Sequence, residues 1–191
     1  MNKKYDIMVY IGRFQPFTKE GHTNIVNKAL QMSSKVVICI GSVNKERSIK
    51  NPFTYYERCN IIKSSMENND NILFRPIPDF SSDKEWIENI KFQVEDVCVT
   101  LGINPLDAKI ALIGMDKDES SYYLEYFNFW DYIEYKKPEN IVSATDVRDI
   151  LFSDNFDIEK LKNLVHNSTI EFLKTFKNSM YYISITNKEN K

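Results

Sequence analysis

Histidine, glycine and cysteine are all scarce in this 191-residue chain, which holds two, five and three of them. The glycines form neither the P-loop pattern nor the six-residue glycine fingerprint of dinucleotide-binding folds, so any phosphate site must be built another way. The histidines, His22 and His166, form no visible Ser–His or Cys–His pairing, which leaves nucleophilic catalysis by the protein without support. Cys39, Cys59 and Cys98 are odd in number, lack metal-type spacing and lie inside apolar segments. They read as reduced core thiols of a cytosolic protein. No apolar run approaches the roughly 20 residues that a membrane span needs. The first residues, Met1-Asn2-Lys3-Lys4-Tyr5-Asp6, carry no apolar signal segment. A net charge of −2 gives no reason to expect nucleic-acid or anionic-membrane binding.

What is present reads as an ordinary globular protein, with 42% hydrophobic and 27% charged residues. The length predicts one domain over residues 1–191, with a sheet core over about 5–153 and a C-terminal helical segment over about 154–180. The chain is organised around residues 7–22, IMVYIGRFQPFTKEGH. Ile7 to Ile11 form an apolar, β-branched run, the pattern of a strand buried on both faces in a parallel sheet. Gly12 ends it, Arg13 to Phe17 make a turn, and Gly21-His22-Thr23 open a segment whose Ile25, Val26, Ala29 and Leu30 recur at helical spacing. Strand, glycine turn and helix start place unpaired N–H groups and a positive dipole end where an anion fits. His22 there either donates to a phosphate oxygen or only caps the helix.

Further runs predict strands at 35–40, 72–77, 108–114 and 130–135. Between them lie a helix capped by Thr54 with Glu57 three residues on, a helix opened by Ser81-Ser82-Asp83 and ended near Gly102, and helical segments from Asp146 and over 157–177. Strands alternating with helices predict a doubly wound parallel sheet, with Gly12, Gly41 and Gly114 on its ligand-binding edge. In the loop after the second strand, Arg47 and Lys50 are either phosphate contacts or a solvated basic surface. Trp86 offers a face for a flat cationic ring, with Asp79 as its polar complement, or it belongs to the core. Ser143, Thr145 and Arg148 place hydroxyls, backbone N–H groups and a guanidinium at one helix start, fit for phosphate or for plain capping.

Gly12-Arg13-Phe14-Gln15-Pro16-Phe17 followed by Gly21-His22 resembles the first signature of nucleotidyltransferases with a (His/Thr)-x-Gly-His motif. Within them it is most similar to the nicotinamide mononucleotide (NMN) adenylyltransferases of the archaeal type, also found as the N-terminal domain of bifunctional adenylyltransferase/Nudix hydrolases. Residues 42–58 resemble the second signature of that family. Lys117, Asp118, Ser120, Ser121 and Tyr122 follow one another as in its aromatic-rich segment, and Ile141 to Arg148 match Ile-Ser-x-Thr-x-x-Arg with Val142 in the first place. One departure stands out. The family sets its first His or Thr three residues before the last His, whereas Thr18 lies four before His22. Either the loop bulges by one residue and Thr18 keeps its position, or it slides and Lys19 takes it. The unbroken Gly12–Phe17 match favours the bulge.

The resemblance implies a Rossmann-like α/β fold, a doubly wound five-stranded parallel sheet with a C-terminal helical segment and no Nudix domain. It implies adenylyl transfer from ATP to NMN, giving NAD and pyrophosphate, with nicotinic acid mononucleotide as a second acceptor. Carried over by position, the catalytic residues are His22, Arg148 and Thr18. ATP is held by Gly12, Arg13, Phe14, Thr18, His22, Gly114, Lys117, Ser143, Thr145 and Arg148, and NMN by Arg13, Arg47, Asp79 and Trp86. Mg²⁺ bridges phosphates and keeps mostly water ligands, so no protein metal ligand is expected. The expected partners are ATP and NMN, without nucleic acid or membrane; a homo-oligomer is compatible, and the location is cytoplasmic. Two other readings remain: a related transferase with another acceptor, such as a cytidylyltransferase, or a non-catalytic nucleotide-binding, NAD-sensing module. The Lys117–Tyr122 segment argues against the first, and the presence of His22, Ser143, Thr145 and Arg148 against the second.

Overall fold

A computed structural model of the chain describes residues 3–67, 69–115, 126–136 and 143–189. These group into two compact units, each drawn from three separate segments. One comprises Met1–Gly12, Ile25–Asn44 and Asp70–Glu139; the other comprises Arg13–Asn24, Lys45–Asn69 and Asn140–Lys191.

The first unit holds the sheet. Its strands are β1 (Tyr5–Gly12), β2 (Ser33–Ile40), β3 (Ile72–Pro76), β4 (Ile110–Gly114) and β5 (Asp131–Glu134). They lie in the order β3-β2-β1-β4-β5, and every neighbouring pair is parallel. Val9 of β1 stands opposite Val37 of β2 on one side and Leu112 of β4 on the other. Such central strands are covered on both faces, which is why they read as unbroken apolar runs rather than alternating ones. Strand order reverses between β1 and β4. Gly12 and Gly114 close those two strands, and Gly41 follows β2 with its N–H donated to the Gly12 carbonyl at 2.9 Å. All three glycines therefore lie at the carboxyl ends of parallel strands, the edge where doubly wound sheets bind ligands.

Helix α1 (His22–Met32) turns Ile25, Val26 and Ala29 inward. Helix α2 (Tyr55–Ser65) belongs to the second unit, and α3 (Asp83–Thr100) to the first. One face of the sheet forms a core in which Ile7, Val9, Val37, Cys39 and Leu112 meet Ile90, Val94, Val97 and Cys98 of α3. All three cysteines are free and buried, as their apolar settings led one to expect, and burial pushes the Cys39 thiol up to about 12. Ser82 caps α3 by accepting from the Glu85 N–H. At its other end Gly102 takes φ +72°, its N–H bonds the Val99 carbonyl at 3.0 Å, and the Ile103 N–H bonds the Cys98 carbonyl at 2.8 Å. This is a Schellman stop, and it requires a left-handed residue at Gly102.

The second unit is helical, with α2, α4 (Ala144–Phe152), α5 (Ile158–Leu164), α6 (Asn167–Lys177) and α7 (Met180–Glu189). The expected capping box of α2 is present: Thr54 accepts from the Glu57 N–H, and Glu57 accepts from the Thr54 N–H at 2.7 Å. Two boundaries differ from the sequence reading. The run over 157–177 is two helices, because Val165 and His166 are both extended and Asn167-Ser168-Thr169 starts a fresh helix. Beyond 180 the chain continues as α7, where Tyr182 stacks on Phe152 at 5.3 Å and Ile185 is buried. The apolar face of α7 is thin, which hides it from pattern reading. No helix of the described residues is long and apolar enough to cross a membrane.

Gly102 allows a clean test of the α3 stop. A Cβ added there meets nothing within 4 Å, so Gly102→Ala carries only the conformational penalty. The loss should be about 1–2 kcal/mol, the scale for an L-residue held in the left-handed region, read as a lower urea midpoint at unchanged slope. An unchanged midpoint would mean that the turn relaxes to another geometry.

Candidate active site

In the second unit the segment Arg13–Phe17 is held from within. Buried Arg58 of α2 donates from its guanidinium to the Arg13 carbonyl at 2.8 Å, and to the Thr54 carbonyl at 3.2 Å. Arg148 of α4, 8% exposed, donates to the Gln15 carbonyl at 2.7 Å. The Gln15 side chain pairs with the backbone of Phe53, donating to its carbonyl at 2.9 Å and accepting its N–H at 3.0 Å. Phe14, buried between these grips, sits at φ +50°, a conformation costing a bulky residue roughly 1–3 kcal/mol. In the first unit Ser42, just past β2, also has positive φ, at +55°. Strained non-glycine residues of this kind concentrate at functional sites.

These grips set the surroundings of His22, the first residue of α1. Its ring meets Phe14 edge-on at 5.1 Å and stacks on Phe17 at 5.3 Å. The Thr18 N–H donates to Nδ1 at 2.8 Å, the Thr18 hydroxyl lies 3.0 Å from the same nitrogen, and the His22 N–H donates back to that hydroxyl at 3.3 Å. A backbone N–H can only donate, so Nδ1 is an acceptor and the ring proton sits on Nε2. The extra residue is absorbed by a wide turn, in which the Thr23 N–H bonds the Thr18 carbonyl across five residues at 3.3 Å. Thr18 is 1% exposed, whereas the Lys19 side chain is exposed and its N–H goes to the Leu164 carbonyl at 2.8 Å. The loop bulges rather than slides.

Ser143 caps α4. Its hydroxyl accepts from the Asp146 N–H, and the Asp146 carboxylate takes both the Ser143 N–H at 2.7 Å and its hydroxyl at 2.8 Å. Thr145 accepts from Arg148 at 2.9 Å. Arg148 is thus no surface arginine, and its two hydrogen bonds among the described residues go to neutral oxygens. Burial lowers the Arg148 pKa, and the nearby charge of Arg13 lowers it further. The same two causes, burial first, bring Arg58 down to about 10. Arg58 and Arg148 thus both feel the positive charge of Arg13 in addition to their burial.

Arg47 has a different setting. It donates to the Pro52 carbonyl, forms an ion pair with Glu57 at 2.8 Å, and lies over the rings of Tyr181 at 4.2 Å and Phe176 at 5.6 Å. Burial alone would raise the Glu57 pKa, but bonds from Arg47 and Thr54 outweigh it and hold the carboxyl below its usual range. Arg47 therefore fastens the 45–57 segment to α6 and α7.

In the first unit, Asp79 accepts from the Ser42 hydroxyl at 2.9 Å, and its backbone N–H bonds Asn44 at 2.9 Å. Trp86 is half-buried and meets Phe127 edge-on at 6.1 Å, so it borders the core without being enclosed by it. The Gly114 carbonyl accepts from the Tyr135 N–H at 2.7 Å. Lys117 and its segment lie outside the described residues, as do Ile141 and Val142. No group of three His, Cys, Asp or Glu suited to a metal occurs among the described residues. Sequence reading missed Gln15 and Thr23, whose partners are distant in the chain, and gave His166 no partner. His166 Nε2 lies 2.9 Å from the Thr23 hydroxyl, and burial and then the Lys19 charge lower its pKa.

Comparison with known proteins places this arrangement. Residues 9–150 match the cytidylyltransferase-like family. The chain is 36% identical over 187 residues to the nicotinamide/nicotinic acid mononucleotide adenylyltransferase of Acinetobacter baylyi, covering 97% of this chain and 94% of that protein. It is 29% identical over 173 residues to the nicotinamide-nucleotide adenylyltransferase of Sulfurisphaera tokodaii, covering 88% and 91%. Its structure resembles that of a bifunctional NMN adenylyltransferase/ADP ribose pyrophosphatase from Francisella tularensis complexed with AMP and a manganese ion, with TM-score 0.77 and 31% identity. That match takes in 97% of this chain but only 53% of the bifunctional protein. With the family matched over most of its length, and a relative above 30% identity covered end to end, the chain belongs to the cytidylyltransferase-like nucleotidyltransferases and groups with their NMN adenylyltransferases.

Proposed function

We propose that the protein transfers the adenylyl group of ATP to NMN. A phosphate oxygen of NMN attacks the α-phosphorus, the bond from that phosphorus to the β-phosphate bridging oxygen breaks, and pyrophosphate leaves with the electron pair as NAD forms. No protein nucleophile takes part. The observation that carries the reading is His22, held by Thr18 at the head of α1 with its proton on Nε2. A donor fixed before the substrate arrives stabilises developing phosphate charge without reorganisation.

Around it, we assign Arg13 and Arg148 to the charge of the triphosphate, with the first-turn N–H groups of α4 and the Thr145 hydroxyl beside them. Ser143 contributes by capping α4, and Thr18 by orienting His22. Gly12, Phe14, Gly114 and Lys117 are assigned to ATP from their family positions alone. We assign Asp79 and Trp86 to the nicotinamide: the flat pyridinium has an aromatic face to lie against and a carboxylate to complement its charge. Arg47, committed to Glu57 and two rings, is assigned to holding its loop. A divalent ion carried by phosphates and water needs no carboxylate cage from the protein. When bound, such an ion, Mg²⁺ in our reading, would neutralise charge on the leaving pyrophosphate. The names of the relatives support NMN as acceptor, and the Acinetobacter protein's name adds nicotinic acid mononucleotide. A cytoplasmic location fits this chemistry.

The direct test is pyrophosphate release with ATP, Mg²⁺ and a panel of acceptors. Release with NMN and formation of NAD are expected. Release only with a sugar or choline phosphate would change the acceptor, and ATP binding without release would favour the sensing module.

His22→Ala should lower kcat by about 10²–10³, the scale for one charge-stabilising donor, with the fold intact by circular dichroism. Wild-type turnover in that variant would move catalysis elsewhere.

The bulged loop separates Thr18 from its neighbour. Thr18→Val should cost roughly ten-fold in kcat, the scale of one neutral hydrogen bond, while Lys19→Ala should change kcat little. A larger loss for Lys19→Ala than for Thr18→Val would show that the lysine side chain, not the threonine hydroxyl, serves the phosphates.

A further inference from the structure

His166 lies far from every signature, yet its ring reaches the loop that carries His22. The wide turn over Thr18–Thr23 leaves two groups to be satisfied. The Lys19 N–H goes outward to the Leu164 carbonyl at 2.8 Å. The Thr18 carbonyl receives both the N–H and the hydroxyl of Thr23, each at 3.3 Å. That hydroxyl has one proton. Spent on the Thr18 carbonyl, it leaves an oxygen lone pair for His166 Nε2 at 2.9 Å, the arrangement in which Nε2–H donates. One bond ends on the last residue of α5 and the other on His166, so they flank the short extended break at Val165–His166, which the helical pattern of the sequence gave no reason to expect.

We propose that His166 is a positioning residue for adenylyl transfer. Its Nε2–H holds the Thr23 hydroxyl on the Thr18 carbonyl, which fixes the bulged loop so that the Thr18 N–H meets His22 Nδ1. The α5–α6 break exists to deliver this support, with the Leu164 carbonyl and the His166 ring as its two contacts. A lengthened loop has more freedom than the shorter family form, and these contacts remove that freedom. His166 touches no substrate and acts only through Thr23 and Thr18. The link to catalysis rests on the function proposed above; the link between His166 and the His22 ring does not.

The test uses the full chain with His166→Ala, His166→Gln, Thr23→Val and the His166→Ala/Thr23→Val double variant. Each single removal should lower kcat by about ten-fold, the scale of one neutral hydrogen bond, while KM for NMN stays near wild type. The glutamine variant, whose amide N–H can replace Nε2–H, should recover most of the loss. The double variant should be no worse than either single, because both break one chain of contacts. Long-range ¹H–¹⁵N spectra supply a readout free of turnover. His22 should show a single Nε2–H tautomer in the wild type and move toward tautomer averaging in His166→Ala and Thr23→Val.

Multiplicative losses in the double variant, or no recovery by glutamine in a folded protein, would overturn the proposal. So would an unchanged His22 spectrum in both folded single variants, whatever the activity. If His166→Ala does not fold, Thr23→Val and His166→Gln decide alone: a wild-type His22 spectrum in Thr23→Val refutes the contact chain. A wild type that shifts as described but makes no NAD would reject adenylyl transfer while keeping the support of His22 by His166.

Discussion

Two buried guanidiniums holding two backbone carbonyls are the constraint on which the candidate site depends. Arg58 grips the carbonyl of Arg13 and Arg148 that of Gln15, at 2.8 and 2.7 Å. Hydrogen bonds with one charged partner contribute about 1.5–3 kcal/mol each, enough together to offset the roughly 1–3 kcal/mol of holding Phe14 at positive φ. With Phe14 so held, its ring meets one side of His22 while Phe17 stacks on another, and the imidazole can turn only as far as Thr18 allows. Rigidity at His22 is thus assembled from its contacts with Phe14, Phe17 and Thr18.

The same grips set the electrostatics of the loop. Carbonyl oxygens orient a guanidinium without neutralising it, and burial, followed by the nearby charge of Arg13, lowers the pKa values of Arg58 and Arg148. In the proposed reaction the triphosphate would meet that positive charge. Arg47 is the contrast. Its guanidinium is paired with Glu57 at 2.8 Å and lies over two rings, contacts that stiffen its loop.

Legibility in the sequence followed the range of the interactions. The inner strands β2, β1 and β4 showed as apolar runs because both faces of a central parallel strand are covered, and the Thr54–Glu57 capping box showed because its partners are three residues apart. His22, Thr18 and Arg148 could be picked out because the family pattern marks them. Gln15 could not be, since its partner Phe53 is 38 residues away and nothing in a glutamine beside a proline announces it. Nor could the interior placement of Arg148, as a helix-surface arginine and a buried one share the same spacing from a cap. The break at Val165–His166 and the helix beyond residue 180 were hidden for a related reason. Their positions are set by contacts such as Phe152 with Tyr182 and Lys19 with Leu164, which no local periodicity encodes.

The one-residue departure in the first signature shows what the motif is physically. A count of residues between Thr18 and His22 matters only through what it lets those two groups do. Here the added residue lies before the helix, so His22 remains the first residue of α1 and keeps the dipole end at its back. The turn widens to an i to i+5 bond, the Lys19 side chain is turned outward, and the Thr18 hydroxyl still receives the His22 N–H at 3.3 Å. A slide in place of the bulge would have put a long, strongly hydrated cation where a buried hydroxyl and amide now fix a neutral ring. The pairing of one backbone N–H with one ring nitrogen, rather than the spacing in sequence, is the feature that the fold preserves.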